Sequence, residues 1–174
     1  LLIIVRKKWI MDKYILPFIL KPQFETELIR LGKNNDGGYL IPLKSLDISN
    51  KLYSFGLDDD YSFEKDFYKK TNVEVVCYDQ SVNLKFFLKP FLFGQFSKLF
   101  KYIGYRFFFD GKKRKHIKKN IIPKETFKFD HEVDSADINS IIKENPSNDI
   151  FFKIDIEGSE YRILNQLIKH SSHI

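Results

Sequence analysis

The 174 residues are enough for one domain with a buried core. Hydrophobic residues make up 43% and charged residues 30%, so the chain is globular rather than disordered. The formal charge of +6 admits an anionic partner, but the joint abundance of Lys, Asn, Ile and Phe reads first as a composition bias.

Cys77 is the single cysteine, so no internal disulfide forms. It falls in a predicted strand, and a buried inert thiol is expected there. A chain without a disulfide framework suits a reducing compartment, and a cytoplasmic location is the expectation. Residues 1–20 are apolar but cut by Arg6, Lys7, Lys8, Asp12 and Lys13. They lack a small-residue cleavage site, so neither a spanning helix nor a signal peptide is expected. The chain starts at Leu1 and stops soon after a helix begins. Both ends look cut, and the expectation is a fragment of a longer protein.

Residues 1–31 read as a helical lead-in broken at Pro17 and Pro22, with Phe24, Leu28, Ile29 and Leu31 as an apolar face. Residues 32–174 read as an α/β domain. Asn35-Asp36-Gly37-Gly38 is a turn signal, either a plain β-turn or a loop whose glycines let backbone approach a ligand. Residues 39–41 form a short strand. The next strand covers 51–56 and ends at Gly56. Asp58-Asp59-Asp60 follows, then a helix through Phe63, Phe67 and Tyr68, with Asp60 placed to cap it. The strand over 73–79 ends in Asp79. A glycine after one strand, a helix, and an acid after the next strand is the order of a nucleotide-binding βαβ unit. Three acids at the helix N-terminus oppose a pyrophosphate. They are tolerable for a cationic or phosphate-free nucleoside such as S-adenosylmethionine.

Residues 83–122 read as a Phe- and Lys-rich insertion, with Lys112, Lys113, Arg114, Lys115, Lys118 and Lys119 forming a basic run around His116. The favoured reading is an insertion lying on the sheet with a solvated charged turn. A peripheral membrane contact near a lipid-linked substrate is the functional alternative. No RNA- or DNA-binding motif is present, and no nucleic-acid partner is expected. A short strand is expected over 126–129 and a helix over 135–142, ended by Asn145-Pro146. His131, beside Asp130, reads as a surface residue rather than a base. His170 and His173 read as tail residues.

The strand over 150–156 is the centre of the pattern. It is apolar, and Asp155, Glu157 and Glu160 crowd its end. Gly158 breaks it, and Tyr161, Leu164, Leu167 and Ile168 take up helical spacing. A buried strand that ends in carboxylates and feeds a helix suits an open α/β sheet, where ligands bind outside the carboxyl ends of the strands. An acid inside an apolar strand is costly without a purpose, which singles out Asp155. Glu160 reads either as a site acid or as a first-turn acid offsetting the helix dipole. The three acids would suit a hard cation, but no His lies near them and no metal is assigned. No G-x-S-x-G elbow and no P-loop are present.

Ser54-Phe-Gly-Leu-Asp-Asp-Asp-Tyr-Ser-Phe-Glu64 and Phe152-Lys-Ile-Asp-Ile-Glu-Gly-Ser-Glu160 together resemble the FkbM-type methyltransferases. Arg30-Leu-Gly with Asp36-Gly-Gly-Tyr39 is similar to the lead-in of one branch of that family. The resemblance implies a class I methyltransferase, Rossmann-like fold: an open, mainly parallel sheet with helices on both faces, C-terminally incomplete here. It implies S-adenosylmethionine as cofactor and O-methylation of a sugar, a glycan or another hydroxyl-bearing metabolite. By position, Gly56 matches the cofactor-loop glycine and Asp79 the ribose-binding acid, with Asp60 and Asp155 also on the cofactor side. Asp155 and Glu157 match the acids at the methyl-transfer site. Asp36, Tyr39 and Glu160 fall to substrate binding. Asp58 stands where a second glycine is usual, and Gln80 where proline is frequent.

A hydroxyl acceptor must lose its proton at some stage. Asp155 is the candidate base or acceptor-orienting group, or it positions the cofactor's cationic end. Glu157 is second. The alternative is a non-catalytic nucleotide- or glycan-binding α/β domain. An NAD-linked oxidoreductase fits poorly with the acidic turn.

Overall fold

Alternation along three strands divides the core into two layers. Leu52, Val75 and Cys77 point to one side of the sheet, and Tyr53, Phe55, Val76 and Tyr78 to the other. Strands that are apolar on both faces must be covered on both faces, and helices do so. The computed structural model describes residues 25–34, 37–58, 60–83, 88, 92, 94, 96–121, 135–144, 149–157 and 160–171. The expected strand over 126–129, the Asp130–His131 pair and Asp36 lie outside them.

The chain opens with an antiparallel hairpin, β1 (Leu28–Leu31) and β2 (Tyr39–Pro42), in which Leu31 faces Tyr39. The helical reading of residues 28–31 is thus corrected. These residues complete their backbone hydrogen bonding on β2, across a loop in which Gly32 and Gly37 take φ of +81° and +86°. The short helix α1 (Leu43–Ile48) leads into β3 (Lys51–Phe55). Helix α2 (Ser62–Thr71) stops at Asn72, whose left-handed backbone donates its N–H to the Tyr68 carbonyl. Strand β4 (Glu74–Tyr78) follows.

Next come α3 (Phe96–Phe109) and β5 (Arg114–Ile117). β5 pairs in parallel with β4, Cys77 facing His116. The middle of the basic run is therefore an edge strand of the sheet, with Lys112 and Lys113 in the exposed turn before it and Lys118 and Lys119 after it. Its cations find partners on the neighbouring elements. The Arg114 guanidinium lies 4.6 Å from the Tyr68 ring centre and 5.1 Å from that of Phe108. Lys115 pairs with Glu74 at 2.8 Å, and the Lys113 ammonium donates to the Asn72 carbonyl.

Two-residue strands β6 (Asn120–Ile121) and β7 (Ser135–Ala136) pair with each other. Helix α4 (Ile138–Glu144) begins three residues later than the sequence suggests. Asp137 is the reason: its carboxylate accepts the Ser140 amide, the side-chain bond of a helix start. Strand β8 (Ile150–Ile154) and helix α5 (Glu160–Lys169) complete the described chain.

The main sheet runs β5-β4-β3-β8, every neighbouring pair parallel. One core layer holds α2, α3 and the hairpin, with Phe63 and Phe67 buried against Leu52 and Val75. The other holds α4 and α5 through Ile138, Ile141 and Ile163. The result is an α/β domain with a parallel sheet, an antiparallel hairpin and helices on both faces. Strand order reverses between β3 and β8, the place where open α/β sheets hold their ligands. Among the described residues no helix is long and apolar enough to cross a membrane.

Candidate functional site

The carboxyl ends of β3, β4 and β8 open into a cleft of about 740 Å³. Its floor is the point where two strand ends touch. Gly56 follows β3 with φ of +81°, and a Cβ there would lie 1.7 Å from the Asp155 carbonyl oxygen. Only glycine fits. Sheet bonding continues past the strand ends, with the Gly56 amide donating to Tyr78 at 3.1 Å and the Asp155 amide to Phe55 at 2.9 Å.

Asp79 shapes the loop beyond Gly56. One carboxylate oxygen accepts the amides of Leu57 at 2.8 Å and Asp58 at 3.2 Å. The other accepts the Ser81 amide at 2.7 Å and hydroxyl at 2.6 Å. Burial alone would raise this carboxyl, but the Ser81 hydroxyl and the three amides hold it below its ordinary value. Asp58, which stands where a second glycine is usual, takes φ of +48°, the conformation a glycine would supply. The Asp79 carboxylate holds it there.

The outer wall is the hairpin loop, tied down on the start of α2. The Gly32 amide donates to Asp66 at 3.0 Å and the Lys33 amide to the Ser62 hydroxyl at 3.2 Å. Asp60 accepts the Ser62 amide at 3.0 Å and pairs with Lys33 at 2.7 Å. These bonds outweigh the effect of burial and hold Asp60 below the usual carboxylate range. Gly37 passes so close that a Cβ would lie 2.5 Å from Asp60 Oδ2.

Tyr39 connects this wall to the end of β8. Its hydroxyl donates to Asp155 Oδ2, and its ring meets Phe63 edge-on at 5.4 Å. Beneath lies a buried polar trio that sequence reasoning did not assign. Lys153 donates to the Gly56 carbonyl, and its ammonium lies 3.8 Å from Glu64 Oε1 and 5.6 Å from the Tyr39 ring centre. Glu64 is fully buried and accepts the Ser54 hydroxyl at 2.5 Å. Its other oxygen is among the few buried described atoms without a hydrogen-bond partner. Burial pushes the Glu64 carboxyl up, and the Lys153 charge opposes that shift. A signal was present. A lysine inside Phe151-Phe152-Lys153-Ile154 is as anomalous in an apolar strand as Asp155.

Gly56, Asp60, Asp79, Tyr39, Asp155 and Glu157 thus line one cleft. Glu157 stands exposed on the rim with φ of +54°. Glu160 is not in the lining. Its Oε1 accepts the Ile156 amide at 2.8 Å from the first turn of α5 and fixes the bend below the cleft.

The family model described as Methyltransferase FkbM domain matches residues 14–173. The chain belongs to the FkbM methyltransferase family. No curated protein and no solved structure matches it. Membership supports a methyltransferase-type function, with S-adenosylmethionine the cofactor it implies.

The cleft suits the cofactor of an FkbM protein in charge. Asp58, Asp60, Asp79, Asp155 and Glu157 face it against Lys33 and Lys153. Both lysines are already engaged, with Asp60 and with Gly56 and Glu64. Such a lining favours a sulfonium cation and disfavours a pyrophosphate. Glycine at 56 and 37 lets the cleft wall close on itself, against the Asp155 carbonyl and the Asp60 carboxylate. Among the described residues no group of three His, Cys, Asp or Glu is set to hold a metal ion.

Proposed function

We propose that this chain is an S-adenosylmethionine-dependent O-methyltransferase with a class I fold, acting on a sugar, a glycan or another hydroxyl-bearing metabolite. The observation that carries the reading is the Tyr39–Asp155 pair at the carboxyl end of β8, beside the Gly56–Asp79 loop, in an acid-lined cleft. The parallel order β5-β4-β3-β8 supports the fold assignment. The hydroxyl chemistry of the acceptor is the finer step and rests on Asp155.

Bound cofactor would supply a methyl group on a sulfonium, open to in-line displacement. The chain supplies alignment and charge, and alignment alone can contribute much of such an acceleration. Asp79 fixes the loop that faces the nucleoside. Asp58 and Asp60 favour the cation. Asp155 orients an acceptor hydroxyl and receives its proton, while Tyr39 holds the carboxylate in place. Glu157 stands at the rim, where acceptor enters.

Calorimetric titration with S-adenosylmethionine and its demethylated product, with NAD as control, tests the cofactor. Both sulfur compounds should bind, NAD should not, and Asp79→Ala should weaken binding. Absence of binding would leave the family fold without the chemistry and favour a glycan- or nucleotide-binding domain. Asp155→Asn should lower turnover of a hydroxylated acceptor by about 10²–10⁴-fold, the range of a lost general base. Its urea midpoint should barely move. Equal loss of turnover and stability would remove Asp155 from the chemistry.

A further inference from the structure

We propose that the outer face of α3 is a peripheral docking surface for an anionic lipid bilayer. Helix α3 carries apolar residues on its outer face as well as on its inner one. Its inner face is covered: Tyr105 and Phe108 are 7% exposed, and Tyr61 stacks on Phe108 at 5.4 Å. Its outer face is bare. Phe96, Phe100, Ile103 and Phe107 are 65%, 73%, 55% and 83% exposed. They recur at helical spacing and form one continuous stripe. Leu92, just upstream, is 79% exposed.

Charge identifies what covers the stripe. Residues 96–121 hold nine Lys and Arg against a single acid, Asp110. The whole chain carries only +6, so the remainder is net acidic and the basic character is local. Arg106 beside the stripe, Lys112 just past the helix and Lys118 beyond β5 are exposed. A second copy docking on this face would bring like charges together. A surface of anionic headgroups over acyl chains meets the phenylalanines and the cations at once. The helix has 14 residues, about 21 Å at helical rise, too short to span and suited to lying in the interface.

The surface is joined to the cleft. Tyr105 donates its hydroxyl to His116 Nδ1, and His116 Nε2–H donates to the Asp79 carbonyl at 2.9 Å. Because that carbonyl can only accept, Nε2 carries a proton, and burial holds the imidazole's pKa below the ordinary value. Docking through α3 would bring the cleft close to a bilayer. The proposal itself does not depend on methyl transfer.

The test is cosedimentation of the full chain with vesicles of phosphatidylcholine alone and with vesicles rich in phosphatidylglycerol. Retention on the anionic vesicles should exceed that on neutral ones by at least about tenfold and fall as salt rises. Phe100→Ser with Phe107→Ser should cut retention at least about tenfold, with circular dichroism unchanged because both side chains are exposed. Lys112→Glu with Lys118→Glu should weaken it without touching the stripe. Equal retention on neutral vesicles, or retention unmoved by both double variants, would overturn the proposal. So would absence of binding to the anionic vesicles, and a dimer seen by sedimentation equilibrium that Phe100→Ser with Phe107→Ser dissolves would then assign the stripe to a second copy.

Discussion

Lys153 lies near the carboxyl end of β8, 9% exposed, and Glu64 faces it from α2 with no exposure at all. Removing one member of such a pair leaves the other charge buried without compensation. Lys153→Met should therefore cost about 3–5 kcal/mol in urea unfolding. Adding Glu64→Gln should recover much of that, because the orphaned charge goes with it. If the double variant is as unstable as the single one, the pair is not what holds this layer. Asp79 carries a different signature. Its carboxyl is lowered from an ordinary value of 3.8, so the native state binds its proton less readily than the unfolded chain does. The stabilisation is complete above about pH 4 and disappears as pH falls through the lowered folded value. Asp79→Asn should thus be less stable than the parent at pH 7, with the gap closing on acidification below about pH 4. A gap that is constant with pH would mean that shape rather than charge is lost.

At the scale of elements, helix α2 is the keystone of one layer. Phe67 is fully buried, and its ring lies 5.1 Å from Phe151 and 6.0 Å from Phe63. Phe67→Ala should lower stability by about 3–5 kcal/mol, read as a reduced urea midpoint. The strands that matter most were legible because their runs are apolar on both faces: β3, β4 and β8 stand close to where their residues place them. Leu28–Leu31 was not legible as a strand, since four residues show no period and the partner lies beyond a loop. β5 was hidden for another reason. Its composition, Arg114-Lys115-His116-Ile117, has the look of a solvated run. Its cations are satisfied by Tyr68, Phe108 and Glu74, which only the folded chain brings near. The site divides in the same way. Asp155 and Gly56 announce themselves by an acid in an apolar strand and a glycine at a strand end. The partnership of Tyr39 with Asp155, 116 residues apart, is visible only once the hairpin is placed.

The whole molecule puts its chemistry and its charge in different places. Acids outnumber lysines in the cleft lining, while residues 96–121 hold nine Lys and Arg against one acid. Net charge alone conceals where these charges sit. The same sheet holds a reporter of the layer that covers it. Cys77 is the single cysteine, 0% exposed in β4, and burial pushes its thiol well above the ordinary range. A thiol reagent can therefore modify the native chain only after the helices packed over this face of the sheet have lifted. The rate of that one modification is a clock for opening of that layer. A ligand seated on the Gly56–Asp79 loop should slow it, and a variant confined to the lipid-facing stripe should leave it running at its original pace.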